Sequence, residues 1–106
     1  MNEQITVSLQ KSNIGPTITL GCFSFVQTQS NHSKLEEEIK VSNGTVLKIS
    51  GTFSNENGSA NLAGFIGEEQ VFLFTSEWNK MPVYLGLRLK DVGFLHIIFG
   101  RTNRKN

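Results

Sequence analysis

Cysteine, histidine, tryptophan and proline are all scarce in this chain of 106 residues. The only cysteine is Cys22, so no disulfide can form within the chain. One cysteine and two histidines are too few ligands for a structural zinc site, and we expect neither a metal nor another cofactor. Cys22 has no basic neighbour in the sequence, which favours an inert core thiol over a nucleophile.

Strong charge and long apolar runs are also missing. Ten Lys and Arg against nine Asp and Glu give a net charge of +1, which provides no field to attract nucleic acid or an anionic membrane. No apolar run approaches the ~18 residues that span a bilayer. Residues 1–4 lack the basic and apolar regions of a signal peptide. We therefore expect a cytoplasmic protein, or one released without a signal peptide.

The composition that remains is typical of an all-β chain. Ten glycines and a charged fraction of only 18% leave a surface of uncharged polar residues, whereas a helical bundle would be rich in Ala, Glu, Lys and Leu. The length predicts a single domain over residues 1–106, since a second core would not fit. Residues 101–106 are predicted to be a frayed basic tail.

The best-defined element is a hairpin over residues 83–100. Every second residue from 83 to 89 is aliphatic, which is the period of a strand with one buried face. A three-residue loop at 91–93 ends in Gly93, where a left-handed residue is needed. The resulting cross-strand pairs are Leu89 with Leu95, Leu87 with Ile97, and Leu85 with Phe99.

Alternation predicts further strands at residues 4–10 and 17–27. The second has apolar residues of both parities, so either it is a central strand with both faces covered or a bulge at Gly21 exchanges its faces. The glycine favours the bulge. Residues 33–41 are open to two interpretations. They begin with a helix capping box, but Leu35, Ile39 and Val41 also fall on one strand face, and the Asn43-Gly44 pair that follows favours the strand.

Turn residues predict the pairing of the central strands. A loop at 42–44 places Ile39 opposite Leu47, and a two-residue Asn57-Gly58 turn starts the next hairpin. The predicted pairs of that hairpin are Phe53 with Leu62, Gly51 with Gly64, and Ile49 with Ile66. After a turn at 67–69, Val71 and Leu73 should face the core, and Phe72 and Phe74 the other side.

These elements predict an antiparallel β-sandwich or a small up-and-down barrel of about eight strands built from sequential hairpins. An open sandwich leaves unpaired edges, and the low-charge stretch at residues 4–8 is a candidate edge. We therefore expect a symmetric homodimer that forms through this edge.

One candidate site is the outer face of the last hairpin. The predicted register exposes Tyr84, Arg88 and Lys90 and puts His96 directly across from Arg88. Such a face could bind an anion or sugar hydroxyls, or it could be an ordinary solvated strand face.

A second candidate is the polar segment that contains Trp78, the only tryptophan. A Trp ring packs on the C–H side of a sugar, while Glu77 and Asn79 could take its hydroxyls. Alternatively, Trp78 folds inward as a lid on the core. The run of Glu36, Glu37 and Glu38 does not predict a cation site, because consecutive strand residues point to opposite faces.

The sequence predicts no enzyme, because no set of nucleophile, base and orienting group can be recognised. We expect a non-catalytic, lectin-like module that binds carbohydrate or glycoprotein, with no nucleic-acid partner and no membrane span. The candidate ligand-binding residues are Trp78, Asn79, Glu77, Arg88, His96 and Tyr84. The alternatives are a protein-binding domain, such as an inhibitor or effector, and a small apolar-ligand barrel suggested by facing glycines and many Phe.

Overall fold

Antiparallel β-strands make up nearly all of the structure, a computed structural model that describes residues 2–12, 16–29, 32–42, 44–54, 58–77, 80, 82, 84–90 and 92–104. The described strands are β1 (Asn2–Ser12), β2 (Ile18–Ser24), β3 (Val26–Gln29), β4 (His32–Ser42), β5 (Thr45–Ser54), β6 (Ser59–Ile66), β7 (Glu69–Glu77), β8 (Tyr84–Leu89) and β9 (Gly93–Arg104). They form two sheets, of four and five strands. The predicted all-β antiparallel class is confirmed. In the described residues, no helix has the length and apolarity needed to cross a membrane.

The four-stranded sheet belongs to a compact unit of residues 1–24 and 82–106. Its strand order is β2-β1-β9-β8, so the two ends of the chain lie side by side. The β1–β9 ladder runs from Asn2 opposite Arg104 to Ser12 opposite Phe94. Residues 101–104 are therefore strand, and the prediction of a frayed tail there is wrong, while 105–106 lie outside the described residues. The buried side chains of this unit are Ile5, Val7, Leu9, Leu89, Val92, Leu95, Ile97 and Phe99.

The β8–β9 hairpin is paired two residues away from the predicted register. Leu87 lies opposite Leu95, Leu85 opposite Ile97 and Leu89 opposite Gly93. The turn closes earlier than predicted, because Gly93 has a φ of 105° and already belongs to β9, and the Val92 N–H donates to the Leu89 carbonyl oxygen at 3.2 Å. A shift of two residues leaves every side chain on its predicted face.

A bulge interrupts the pairing of β1 with β2. Leu9 lies opposite Gly21 and Gln10 opposite Thr19, so Leu20 is the extra residue, one position before the predicted bulge. After the bulge, Cys22 lies opposite Ser8 on the exposed face. The prediction of a core thiol is wrong because the bulge reverses the face on which Cys22 projects.

The five-stranded sheet belongs to a second unit, residues 25–81, and its order β3-β4-β5-β6-β7 follows the chain. Residues 33–41 lie within strand β4, and Ile39 pairs with Leu47, so both predictions are confirmed. The buried side chains of this unit are Phe25, Leu35, Ile39, Val41, Leu47, Ile49, Phe53, Ala60 and Leu62.

The β5–β6 hairpin also differs from the prediction by two residues. Its pairs are Phe53 with Ala60, Gly51 with Leu62, Ile49 with Gly64, and Leu47 with Ile66. Strand β5 ends at Ser54 and β6 begins at Ser59, so four residues connect them where a two-residue turn was expected. The two glycines consequently do not face each other, and the facing-glycine prediction is wrong.

The β6–β7 hairpin overturns the predicted faces of β7. Phe65 pairs with Gln70 and Gly64 with Phe72, which makes Val71 the extra residue of a bulge. Phe72 and Phe74 therefore share the face of Leu62, and Leu73 is 60% exposed. The Phe72 ring fills the space above Gly64, where an added Cβ would overlap it.

The predicted dimer edge at residues 4–8 belongs to β1, an inner strand of its sheet. Residues 6–8 pair with β2 on one side and with β9 on the other, whereas residues 4 and 5 pair only with β9. The four-stranded sheet has its edges at β2 and β8, and the five-stranded sheet has its edges at β3 and β7. The predicted edge is thereby reduced to two residues, and the symmetric homodimer stays a prediction.

A first prediction tests the Gly64–Phe72 contact. Gly64→Ala should lower the free energy of unfolding by about 1–3 kcal/mol, the usual cost of overpacking, because the new methyl overlaps the Phe72 ring. In a Phe72→Leu background the same substitution should cost clearly less, since the two residues are in contact. Denaturant melts of the four proteins measure the coupling. Equal costs in both backgrounds would contradict the contact.

A second prediction tests the faces of the five-stranded sheet with one substitution at two sites. Leu47 is fully buried and Leu73 is 60% exposed. Leu47→Ala should cost about 2–5 kcal/mol of unfolding free energy, and Leu73→Ala less than about 0.5 kcal/mol. Comparable losses for the two variants in urea melts would show that the bulge at Val71 is misplaced.

Candidate functional site

The exposed side of the four-stranded sheet carries most of the predicted site residues. Its ladder forms three rows, in which directly opposite residues project to the same side. We call this surface the His96 face, and it consists of Ser8, Gln10, Ser12, Tyr84, Arg88, Phe94, His96 and Ile98.

His96 is the centre of a hydrogen-bonded group on this face. Its Nε2 lies 2.7 Å from Ser12 Oγ, and its Nδ1 lies 2.6 Å from the Tyr84 hydroxyl. The Tyr84 and His96 rings are also stacked, with centroids 5.8 Å apart and planes at 27°. Both nitrogens of the imidazole therefore have a partner, and the ring is held in one orientation.

The backbone explains how Tyr84 reaches His96. Gly86 is the residue directly opposite His96. The Tyr84 side chain lies over Gly86, where an added Cβ would be only 2.7 Å from the Tyr84 hydroxyl oxygen. Because Gly86 has no side chain, the Tyr84 phenol can extend along the sheet to His96 Nδ1. A glycine inside a strand often marks such a close approach, so Gly86 was the signal in the sequence.

Arg88 and Phe94 form a pair next to this group. They are directly opposite in the ladder, and the Arg88 guanidinium carbon lies 5.9 Å from the Phe94 ring centroid, within cation–π range. The predicted position of His96 opposite Arg88 is wrong, because the hairpin register is two residues from the predicted one. Arg88 forms no ion pair with the carboxylates that the structure describes.

Exposure distinguishes the aromatic residues of the His96 face from the core. Tyr84 is 51% exposed and Phe94 is 48% exposed. The alternation pattern predicts Tyr84, His96 and Arg88 as site residues, but not Ser12 or Phe94. It ends the first strand at residue 10, although β1 continues through Ser12, and Phe94 directly follows the predicted loop at 91–93 without any signal of function.

The other three predicted site residues belong to the segment that follows β7. Glu77 is exposed in the second unit, and its Oε2 lies 3.3 Å from Lys80 Nζ. Trp78 and Asn79 lie outside the described residues. The structure therefore brings Tyr84, His96 and Arg88 together on one face. The ligand-binding roles of Trp78 and Asn79 stay predictions.

A concave surface lies on the five-stranded sheet. It is an open depression of about 660 Å³, whose lining includes Glu36, Glu38, Lys48 and Phe65. Lys34 Nζ lies 2.7 Å from Glu36 Oε1, and this hydrogen bond, the Lys34 charge and the more distant Lys48 lower the pKa of Glu36. Carboxylates of alternating parity do not converge on this sheet, and no group of metal-ligating side chains occurs in the described residues.

The chemistry available on the His96 face is hydrogen bonding, stacking and charge. Ser12, His96 and Tyr84 are connected in the order nucleophile, base and orienting group. Acyl transfer also requires donors for an oxyanion, and the neighbouring backbone N–H groups of β1 and β9 are used in the sheet. Hydrogen-bonding groups and exposed rings of this kind can also hold a ligand.

Comparison with known proteins identifies no relative. No protein-family model matches this chain, and no match was found among curated proteins or solved structures.

A third prediction tests the Tyr84–His96 hydrogen bond. Tyr84→Phe removes the hydroxyl, and Gly86→Ala introduces a methyl group where that hydroxyl lies. Both variants should shift the His96 ring nitrogen signals in ¹⁵N NMR in the same direction, with a stability change below about 1.5 kcal/mol, the usual worth of one hydrogen bond. Leu73→Ala, on the other sheet, is the control. Unchanged His96 signals in Tyr84→Phe would contradict the bond.

Proposed function

We propose that this protein is a non-catalytic, lectin-like module that binds carbohydrate, free or on a glycoprotein, through the His96 face. The observation that carries the proposal is that two aromatic residues, Tyr84 and Phe94, are each about half exposed on a sheet surface whose other members are hydroxyl, amide, imidazole and guanidinium side chains and Ile98. Sugars present the same two chemistries, an apolar C–H side and a rim of hydroxyls.

The spacing of the two rings favours a ligand longer than one sugar. Tyr84 and Arg88 are four residues apart on β8, and Phe94 lies opposite Arg88. At about 3.3 Å per residue, the two rows are roughly 13 Å apart along the strand. A saccharide of two or more units could contact both rings, with Gln10 and Ser12 beside it.

The shape of the site implies weak binding. The face is the side of a sheet and not a deep cleft, so we expect a dissociation constant near the millimolar range, which corresponds to about −4 kcal/mol. In so small a total, one exposed aromatic side chain can decide whether binding is detected.

A protein-binding domain is the second candidate. Strand β7 is an edge of its sheet and carries the exposed Leu73, and an unpaired edge can accept a strand from another chain. The apolar-ligand barrel loses one of the two observations that suggested it, the facing glycines. Gly51 and Gly64 do not face each other, and the Phe72 ring fills the space above Gly64.

A fourth prediction tests the carbohydrate site on a glycan array, with binding confirmed by titration. Tyr84→Ala and Phe94→Ala should each weaken glycan binding by about tenfold or more, since tenfold is 1.4 kcal/mol and a ring pair contributes about that much. Leu73→Ala is the control and should bind as wild type does. Thermal melts of all variants check that loss of binding is not loss of fold.

The contradicting outcomes are distinct. If the wild-type protein retains no glycan, the carbohydrate proposal fails and the protein-binding alternative takes its place. If Trp78→Ala abolishes binding while Tyr84→Ala and Phe94→Ala do not, the site lies in the Glu77-Trp78-Asn79 segment and not on the His96 face.

A further inference from the structure

Charge is divided unequally between the two units of this nearly neutral chain. Residues 1–24 and 82–106 contain six Lys and Arg against two Asp and Glu, a net charge of +4. Residues 25–81 contain four Lys against seven Glu, a net charge of −3. The sum is the overall +1, so the composition of the whole chain conceals a basic unit and an acidic one. The His96 face belongs to the basic unit.

The His96 face itself contains no carboxylate. Its members are neutral hydroxyl, amide and apolar side chains, together with His96 and the cation Arg88. The carboxylate side chains that the structure describes, at positions 36, 37, 38, 68, 69 and 77, all belong to the other unit. A site for neutral sugars gains from carboxylate acceptors for hydroxyl donors, and this face offers none among its described residues.

Arg88 is positioned to bind an anion. The Phe94 ring supports the guanidinium on one side, while the described carboxylates do not neutralise it. Arginine presents N–H donors in a planar fork that matches a carboxylate or a sulfate in two parallel hydrogen bonds. Tyr84, on the same strand, offers a half-exposed ring for the sugar that carries the anion.

From the charge, the exposed rings and the position of Arg88, we propose that the ligand of the His96 face is an acidic saccharide, with its carboxylate or sulfate on Arg88. This inference rests on the proposed carbohydrate function and names its ligand class. The basic unit would add a favourable long-range field for such a ligand, which salt should weaken.

The test compares oligosaccharides that differ only in the acidic group. Trigalacturonate and the neutral galactose trimer of the same linkage are titrated into the full chain at low salt, followed by NMR shifts of the His96 face. A sulfated galactose trimer distinguishes sulfate from carboxylate as the preferred anion. We expect at least one acidic trimer to bind about tenfold more tightly than the neutral trimer.

Variants assign the preference to Arg88. Arg88→Gln should reduce the preference for the acidic trimer to less than about threefold. Lys40→Gln is the control, because it removes the same charge from the exposed surface of β4, and it should leave the preference unchanged. Arg88→Lys should retain an intermediate preference, because a lysine keeps the charge but not the fork. Arg88 is exposed, so these variants should melt as wild type does.

Each outcome decides between the two proposals. Equal binding of neutral and acidic trimers overturns the acidic-ligand inference and leaves the carbohydrate function standing. If Arg88→Gln does not change the preference for the acidic trimer, and salt removes that preference, the preference arises from the diffuse field of the basic unit. This outcome overturns the Arg88 contact. Binding of no saccharide here and on the glycan array overturns the carbohydrate function, and the inference with it.

Discussion

The ladder between β1 and β9 is the contact on which the four-stranded sheet depends. It pairs the two ends of the chain over eleven residue pairs and is the only pairing, among the described strands, that connects the β1–β2 hairpin to the β8–β9 hairpin. Closing so long a loop costs chain entropy before any contact compensates for it. The ladder also brings Ser12 to His96 across 84 positions of sequence. The candidate site therefore exists only when this long-range pairing has formed.

Glycines opposite or beside aromatic residues position rings in both sheets. On the five-stranded sheet, Phe72 covers Gly64 and fills the face that carries the core. On the exposed side of the other sheet, Tyr84 covers Gly86 and reaches His96. In each case the missing Cβ lets an aromatic side chain occupy the space above the glycine, a way of compensating a glycine in a strand. The same local device thus serves packing in one unit and site geometry in the other.

The strands and most of their faces could be predicted because side-chain alternation is a local property. It puts Tyr84, Arg88 and His96 on one exposed surface, and together with the Asn43-Gly44 pair it predicts β4 as a strand. It did not define their mutual positions. The β8–β9 and β5–β6 registers differ from the predicted ones by two residues, and such a shift keeps every side chain on its face. Hydrophobic patterning is therefore unable to distinguish these registers, and the turn geometry decides between them.

By itself, then, the sequence determined an antiparallel all-β chain, most of its strand positions and the exposed polar character of the last hairpin. It did not separate β2 from β3, which the pattern joins into one strand at residues 17–27. Only the tertiary structure decided which strands share a sheet, that β1 is central and that a bulge at Val71 turns Phe72 inward. It alone added Ser12 and Phe94 to the site. The physical reason is that alternation fixes where a side chain points relative to its own strand, whereas pairing between distant strands and the extra residue of a bulge arise from contacts that no local pattern encodes.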